Sequence, residues 1–160
     1  KAEHHQTLGS FFLNHPPLSE FQVSVTHDHP VTRGLPEQFT VQDELYLIEL
    51  QEPDASRILL TTTLEEDPSP QGFGFVYDED TSLQADGKTR VLGYARSRGQ
   101  GEIVYVALGH CHTGRINSQS VVDRSIHPEG TVPPEFHGVW ETDAFSHLLE
   151  NAIEWGMERR

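Results

Sequence analysis

Ile103-Val104-Tyr105-Val106-Ala107-Leu108 is an uninterrupted apolar run, and Gly109-His110 follows it directly. β-Branched and aromatic side chains fit a pleated sheet, and a run without polar alternation suits a strand covered on both faces. In open α/β sheets, ligands sit at the carboxyl ends of the strands. The segment therefore predicts a strand that delivers an imidazole to the mouth of a cleft. Just before it, Val91 to Arg96 reads as a partner strand, and Ser97-Arg98-Gly99-Gln100-Gly101 reads as the hairpin turn between them, with glycine at the strained positions.

Further back, Phe21-Gln22-Val23-Ser24-Val25-Thr26 alternates with period two, as a half-buried strand does. Residues 45–50 and 57–64 are two more sheet-forming stretches, separated by Glu52-Pro53-Asp54-Ala55-Ser56. Leu8, Phe11 and Phe12 lie at helical spacing before Pro16-Pro17, which predicts a helix over residues 3–14. Residues 30–36 read as a connector with a single helical turn, and the acidic, Pro- and Gly-rich residues 65–89 as an exposed excursion. At the far end, Phe145, Leu148, Leu149, Ala152, Ile153 and Gly156 mark one stripe of a helix that Thr142 or Asp143 can cap. Residues 109–141 between strand and helix carry His110, His112, His127 and His137. So long a connection is more often functional than idle.

With 160 residues, the chain is one domain's length, and 35% hydrophobic residues suffice for one core. Its formal charge of −14 opposes every phosphate contact, which argues against nucleic acid and anionic membrane surfaces as partners. Cys111 stands alone and cannot form an internal disulfide, and no stretch approaches the roughly 20 apolar residues of a membrane helix. The expectation is a soluble protein. Lys1 is neither an initiator Met nor part of an apolar leader, so the chain is expected to be trimmed or part of something longer. Localisation is open; the cytoplasm is preferred, and a removed signal peptide fits as well.

His110 is the leading acid/base candidate, because an imidazole titrates near neutrality. Asp43-Glu44 with Tyr46 can offer carboxylate and hydroxyl to a sugar, and Trp140 an aromatic face. For Trp140 the competing reading is packing against the helix, and for Asp43 a turn residue opening the strand. His15 and His29 either cap their Pro-containing turns or reach the cleft, and Arg33 and Arg96 are ion-pair partners or anchors. His110-x-His112 and His27-x-His29 have the spacing of a metal pair on an extended segment, but nothing fixes a third ligand, so no metal site is assigned. Cys111 beside two His is read as a small hydrophobe, not a nucleophile.

Several pieces fall into one order: Leu8-Gly9-Ser10-Phe11-Phe12-Leu13-Asn14-His15-Pro16, His29-Pro30-Val31-Thr32-Arg33-Gly34-Leu35-Pro36, Asp43-Glu44-Leu45-Tyr46, Gly93-Tyr94-Ala95-Arg96, Val104-Tyr105-Val106-Ala107-Leu108-Gly109-His110, and Trp140 to Trp155. As an ordered set they resemble the ThuA-like family of trehalose-utilisation proteins. The resemblance implies an α/β fold of the flavodoxin-like, class I glutamine amidotransferase-like kind, with residues 1–160 as a single domain matching the later two-thirds of the family. It also implies that the first parallel strands are missing, so that either a homo-oligomer or a preceding segment covers the exposed sheet. No G-x-C-x-G motif occurs, which disfavours glutaminase activity, and no dinucleotide fingerprint is present, so the cofactor is unknown. The expected function is binding or transforming a sugar such as trehalose, a related disaccharide or a keto-sugar. His110 and Glu44 are then the catalytic candidates, with His15, His29, Tyr46, Arg33 and Trp140 contacting substrate. The alternatives are a non-catalytic binding or assembly domain and, weakest, a metal-dependent hydrolase.

Overall fold

The computed structural model describes residues 2–65, 81–117 and 119–158. Its first helix, α1 (Ala2–Leu8), stops at Gly9, whose φ of +81° closes the helix with a Gly9 N–H bond to the His5 carbonyl at 2.6 Å. Such a left-handed residue is a common helix terminator, and glycine adopts it without a Cβ penalty. The chain then runs as a strand, β1 (Ser10–Asn14), where helical spacing predicts more helix. Antiparallel pairing of β1 with β4 (Leu47–Leu50) overrides that local pattern, matching Ser10 to Leu50 and Phe12 to Ile48.

The larger sheet is built from β2 (Ser19–Val25), β3 (Gln38–Asp43), β5 (Ser56–Thr63), β6 (Thr89–Arg98) and β7 (Gly101–Val106), in the spatial order β3-β2-β5-β6-β7. β3 is absent from the sequence reading, although Phe39 and Val41 alternate with polar residues; it falls just past the Pro-rich connector. Helices and strands are mixed along the chain, in keeping with α/β at that coarse level. Every described strand pairing is antiparallel, however, so the described strands do not form the expected parallel, flavodoxin-like sheet. Parallel neighbours need a crossover of about a dozen or more residues, usually helical. Here the described connections between β2 and β7 hold only single 3-10 turns, at Pro30–Thr32 and Pro53–Ala55, and β6 reverses into β7 across Gly99-Gln100.

β7 lies at the sheet's edge and is half-buried, not covered on both faces as its apolar run predicts. Most of the predicted acidic excursion, residues 66–80, lies outside the described residues. The predicted C-terminal helix is α2 (Asp143–Glu158). Its Phe145 and Leu148 enter the main core with Val31, Leu45 and Val139. Asn151 Nδ2 donates to the carbonyls of Val31 and Arg33 at 3.1 and 2.8 Å, tying α2 to the 30–33 turn. Ile153 is 64% exposed, so the buried stripe is narrower than the sequence suggests.

The small sheet docks on the large one through Ile48, Leu50, Val91 and Tyr94. The Tyr94 hydroxyl fixes that contact, bonding the Leu8 carbonyl at 2.9 Å and Ser10 Oγ at 2.7 Å. Gly9 sits against Arg96, a buried side chain paired with Glu52; a Cβ on Gly9 would come within 2.6 Å of Arg96 Cδ. Gly9→Ala meets both that clash and an unfavourable φ, so chemical denaturation is expected to show a loss of about 2 kcal/mol. An unchanged denaturation midpoint would mean that the Gly9 turn rearranges freely.

Candidate functional site

Asp43 ends β3, and its carboxylate is nearly inaccessible. Oδ1 accepts the N–H groups of Glu44 at 2.7 Å and His110 at 2.9 Å, and Oδ2 accepts that of Gly109 at 2.7 Å. One carboxylate thereby ties the end of β3 to the segment leaving β7. From the other side, Trp140 Nε1 donates to the Gly109 carbonyl at 2.8 Å. Gly109 turns with φ of +127°, a conformation open to glycine and strained for other residues. Burial pushes the Asp43 carboxyl up to about 6, against the pull of its three N–H bonds, and the neighbouring Glu44 adds to the rise.

That turn brings His110 onto Glu44. His110 Nδ1 lies 2.9 Å from Glu44 Oε2; the Glu44 side chain is buried and that of His110 part-buried. On the other carboxylate oxygen, Gln119 Nε2 donates to Oε1, and His15 Nδ1 stands 3.5 Å away while contacting the Pro16 carbonyl at 2.9 Å. The remaining ring nitrogen of His110, Nε2, is 3.1 Å from His112 Nδ1, and His112 Nε2 is 2.9 Å from the Pro133 carbonyl. Burial holds the His110 imidazolium below its ordinary range, outweighing the attraction of Glu44, with His112 and His15 adding repulsion. Tyr46 is pushed up to about 12 by burial and by the Glu44 carboxylate, so its hydroxyl stays protonated.

A cavity of about 170 Å³ opens here, lined by Asp43, Glu44, Tyr46, Gly109, His110 and the end of the β7 segment. Phe12, 49% exposed, stands beside it, with its ring 5.0 Å from Tyr46 and 6.1 Å from His15. The structure thus brings together Glu44, His110, His15 and Tyr46, with Trp140 at the Gly109 turn. His29 and Arg33 lie elsewhere. His29 caps the 30–32 turn, its Nδ1 accepting the Val31 N–H at 3.2 Å and its ring against Trp155 of α2, while exposed Arg33 follows that turn. Arg96 is the ion-pair partner of Glu52. His27 is bonded to the Ile58 carbonyl, Cys111 is exposed, and among the described residues no group of three or more His, Cys, Asp or Glu is arranged to hold a metal.

Asp43 is not a turn residue opening a strand but the clamp beneath the site. Gln119 and Phe12 are not among the site residues the sequence points to: nothing in their local pattern marks them for a site, because Gln119 meets Glu44 across 75 residues and Phe12 is placed by β1.

Fold and site together define a small α/β protein with a carboxylate and paired imidazoles at a strand end. The chain belongs to the ThuA family, described as trehalose utilisation, whose family model matches residues 2–123. A crystal structure of a ThuA-like protein from Parabacteroides merdae is similar at 21% identity with a TM-score of 0.44, over 65% of this chain and 32% of that one. The chain thus spans about a third of that protein's length. No curated protein matches it.

Proposed function

We propose that this chain serves carbohydrate utilisation by binding, and through Glu44 and His110 transforming, a sugar such as trehalose, a related disaccharide or a keto-sugar. Family membership suggests the trehalose-utilisation role. The observation that carries the reading is the convergence of Glu44, His110 and Tyr46 on one cavity, with His15 beside Glu44 and Tyr46. Carboxylates and imidazoles beside aromatic faces match the alternating hydroxyl and C–H surfaces of a sugar. The cavity's 170 Å³ is below the roughly 300–1,000 Å³ of common ligand pockets, so one ring fills it. A second ring would rest on Phe12. His29 and Arg33 drop out of the substrate contacts in this reading, and Trp140 supports Gly109 from behind. A neutral sugar also suits a chain of −14 charge better than a polyanion or an anionic membrane does. The relation to the flavodoxin-like, amidotransferase-like fold forms part of the same proposal and rests on the family.

Calorimetry and thermal shift with trehalose and keto-sugars test it. Wild type is expected to bind and gain melting temperature by linkage. Phe12→Ala is expected to weaken binding about 10-fold, a loss of about 1.4 kcal/mol of stacking, and His110→Ala to remove binding. A wild type indifferent to every sugar would sink the reading and leave the non-catalytic assembly domain.

A further inference from the structure

Glu44, His110, His112 and the Pro133 carbonyl form one file with three contacts of 2.9, 3.1 and 2.9 Å. A carbonyl only accepts, so His112 Nε2 carries a proton and donates to Pro133. In neutral His112 the other nitrogen, Nδ1, is then bare and accepts from His110 Nε2–H. Neutral His110 in turn has a bare Nδ1, and that atom faces a carboxylate oxygen at 2.9 Å. Two acceptors do not approach so closely without a proton between them. Three hydrogen bonds need three protons, and two neutral imidazoles supply two.

We propose that His112 is a positioning residue: with the Pro133 carbonyl behind it, it holds neutral His110 as the Nε2–H tautomer and presents a bare His110 Nδ1 to Glu44. This deepens the reading of the cleft as the ligand site and rests on it for its consequence. The Glu44–His110 contact at 2.9 Å itself calls for one further proton between the two atoms. A ligand that brings two hydroxyls can replace that proton by donating one O–H to Nδ1 and the other to the Glu44 carboxylate, whereas an anionic group adds an acceptor where two already meet. The site so arranged selects neutral hydroxyl donors. The titratable groups around His110 are Glu44, His112 and His15, and those beside Glu44 are Asp43 and Tyr46. His112 suits this role because it is 2% exposed, stacked on Phe136 and carried on a segment held by paired backbone bonds to that residue.

Long-range ¹H–¹⁵N correlation spectra of histidine-labelled protein, with the His110 signals assigned by their loss in His110→Gln, read each ring's tautomer directly and need no ligand. Above the His110 titration, wild type is expected to show His110 and His112 both as Nε2–H. His112→Phe removes the acceptor and is expected to switch His110 to Nδ1–H, now donating to Glu44. His112→Asn, whose Oδ1 can accept in place of Nδ1, is expected to keep His110 as Nε2–H. A wild-type His110 found as Nδ1–H, or one whose tautomer is unmoved by His112→Phe, overturns the proposal. The wild-type spectrum decides even where the variants fail to fold. The expected tautomers in a protein that binds no sugar would leave this inference standing and remove the sugar reading; sugar binding with His110 as Nδ1–H would do the reverse.

Discussion

Asp43→Ala is expected to lower stability by about 3–5 kcal/mol, since one buried and two part-buried N–H groups lose their acceptor and each orphaned buried donor costs about 1–3 kcal/mol. For a chain of this size that corresponds to a fall in melting temperature of roughly 10 °C. The same change frees the Gly109–His110 turn, so ligand binding at the cleft should go with it, even at temperatures where far-UV circular dichroism shows the strands and helices intact. Asp43→Asn is expected to do less harm. Its Oδ1 still accepts from Glu44 and His110, and only the Gly109 N–H then faces an amide that donates instead of accepting. If Asp43→Ala melts within a degree or two of wild type, Asp43 is not the clamp described here.

The clamp illustrates what the sequence can and cannot convey. The 91–106 hairpin was readable because its signals are local: β-branched runs on either side of a two-residue turn with Gly99 at φ of +61°. α2 was readable for the same reason, from a stripe and a cap. His110 and Glu44 could be singled out by the strand-end rule and by the family pattern, yet their contact spans the sheet and has no local trace. Asp43 meets its donor partners 66 and 67 residues away, so within its own neighbourhood it looks like any aspartate before a strand. β1 was misread because Leu8, Phe11 and Phe12 satisfy helical spacing, while the pairing with β4 that decides the matter is non-local. His29 has the motif context of a site residue, but the physical demand on it is to cap a turn beneath α2.

The burial of Asp43 also gives folding a pH dependence whose sign is fixed. Its carboxyl titrates at about 6 in the folded chain against 3.8 unperturbed, so between those values the folded state holds a proton that the unfolded state has released. Stability from this group is therefore fully present below about pH 4 and is lost as pH rises through about 6. Two pH units correspond to about 3 kcal/mol. Asp43→Asn lacks the titration, so urea unfolding of the two proteins side by side isolates it from the other carboxylates. Wild type is expected to lose about 3 kcal/mol relative to Asp43→Asn between pH 4 and pH 7. The opposite slope would mean that the three N–H bonds outweigh burial and hold the carboxyl below its ordinary range. With the expected slope, the fold near neutral pH carries an ionised, disfavoured carboxylate directly beneath the Glu44–His110 pair. Stability is then given up at the position where a negative charge holds the His110 N–H, and with it the imidazole, against the cleft.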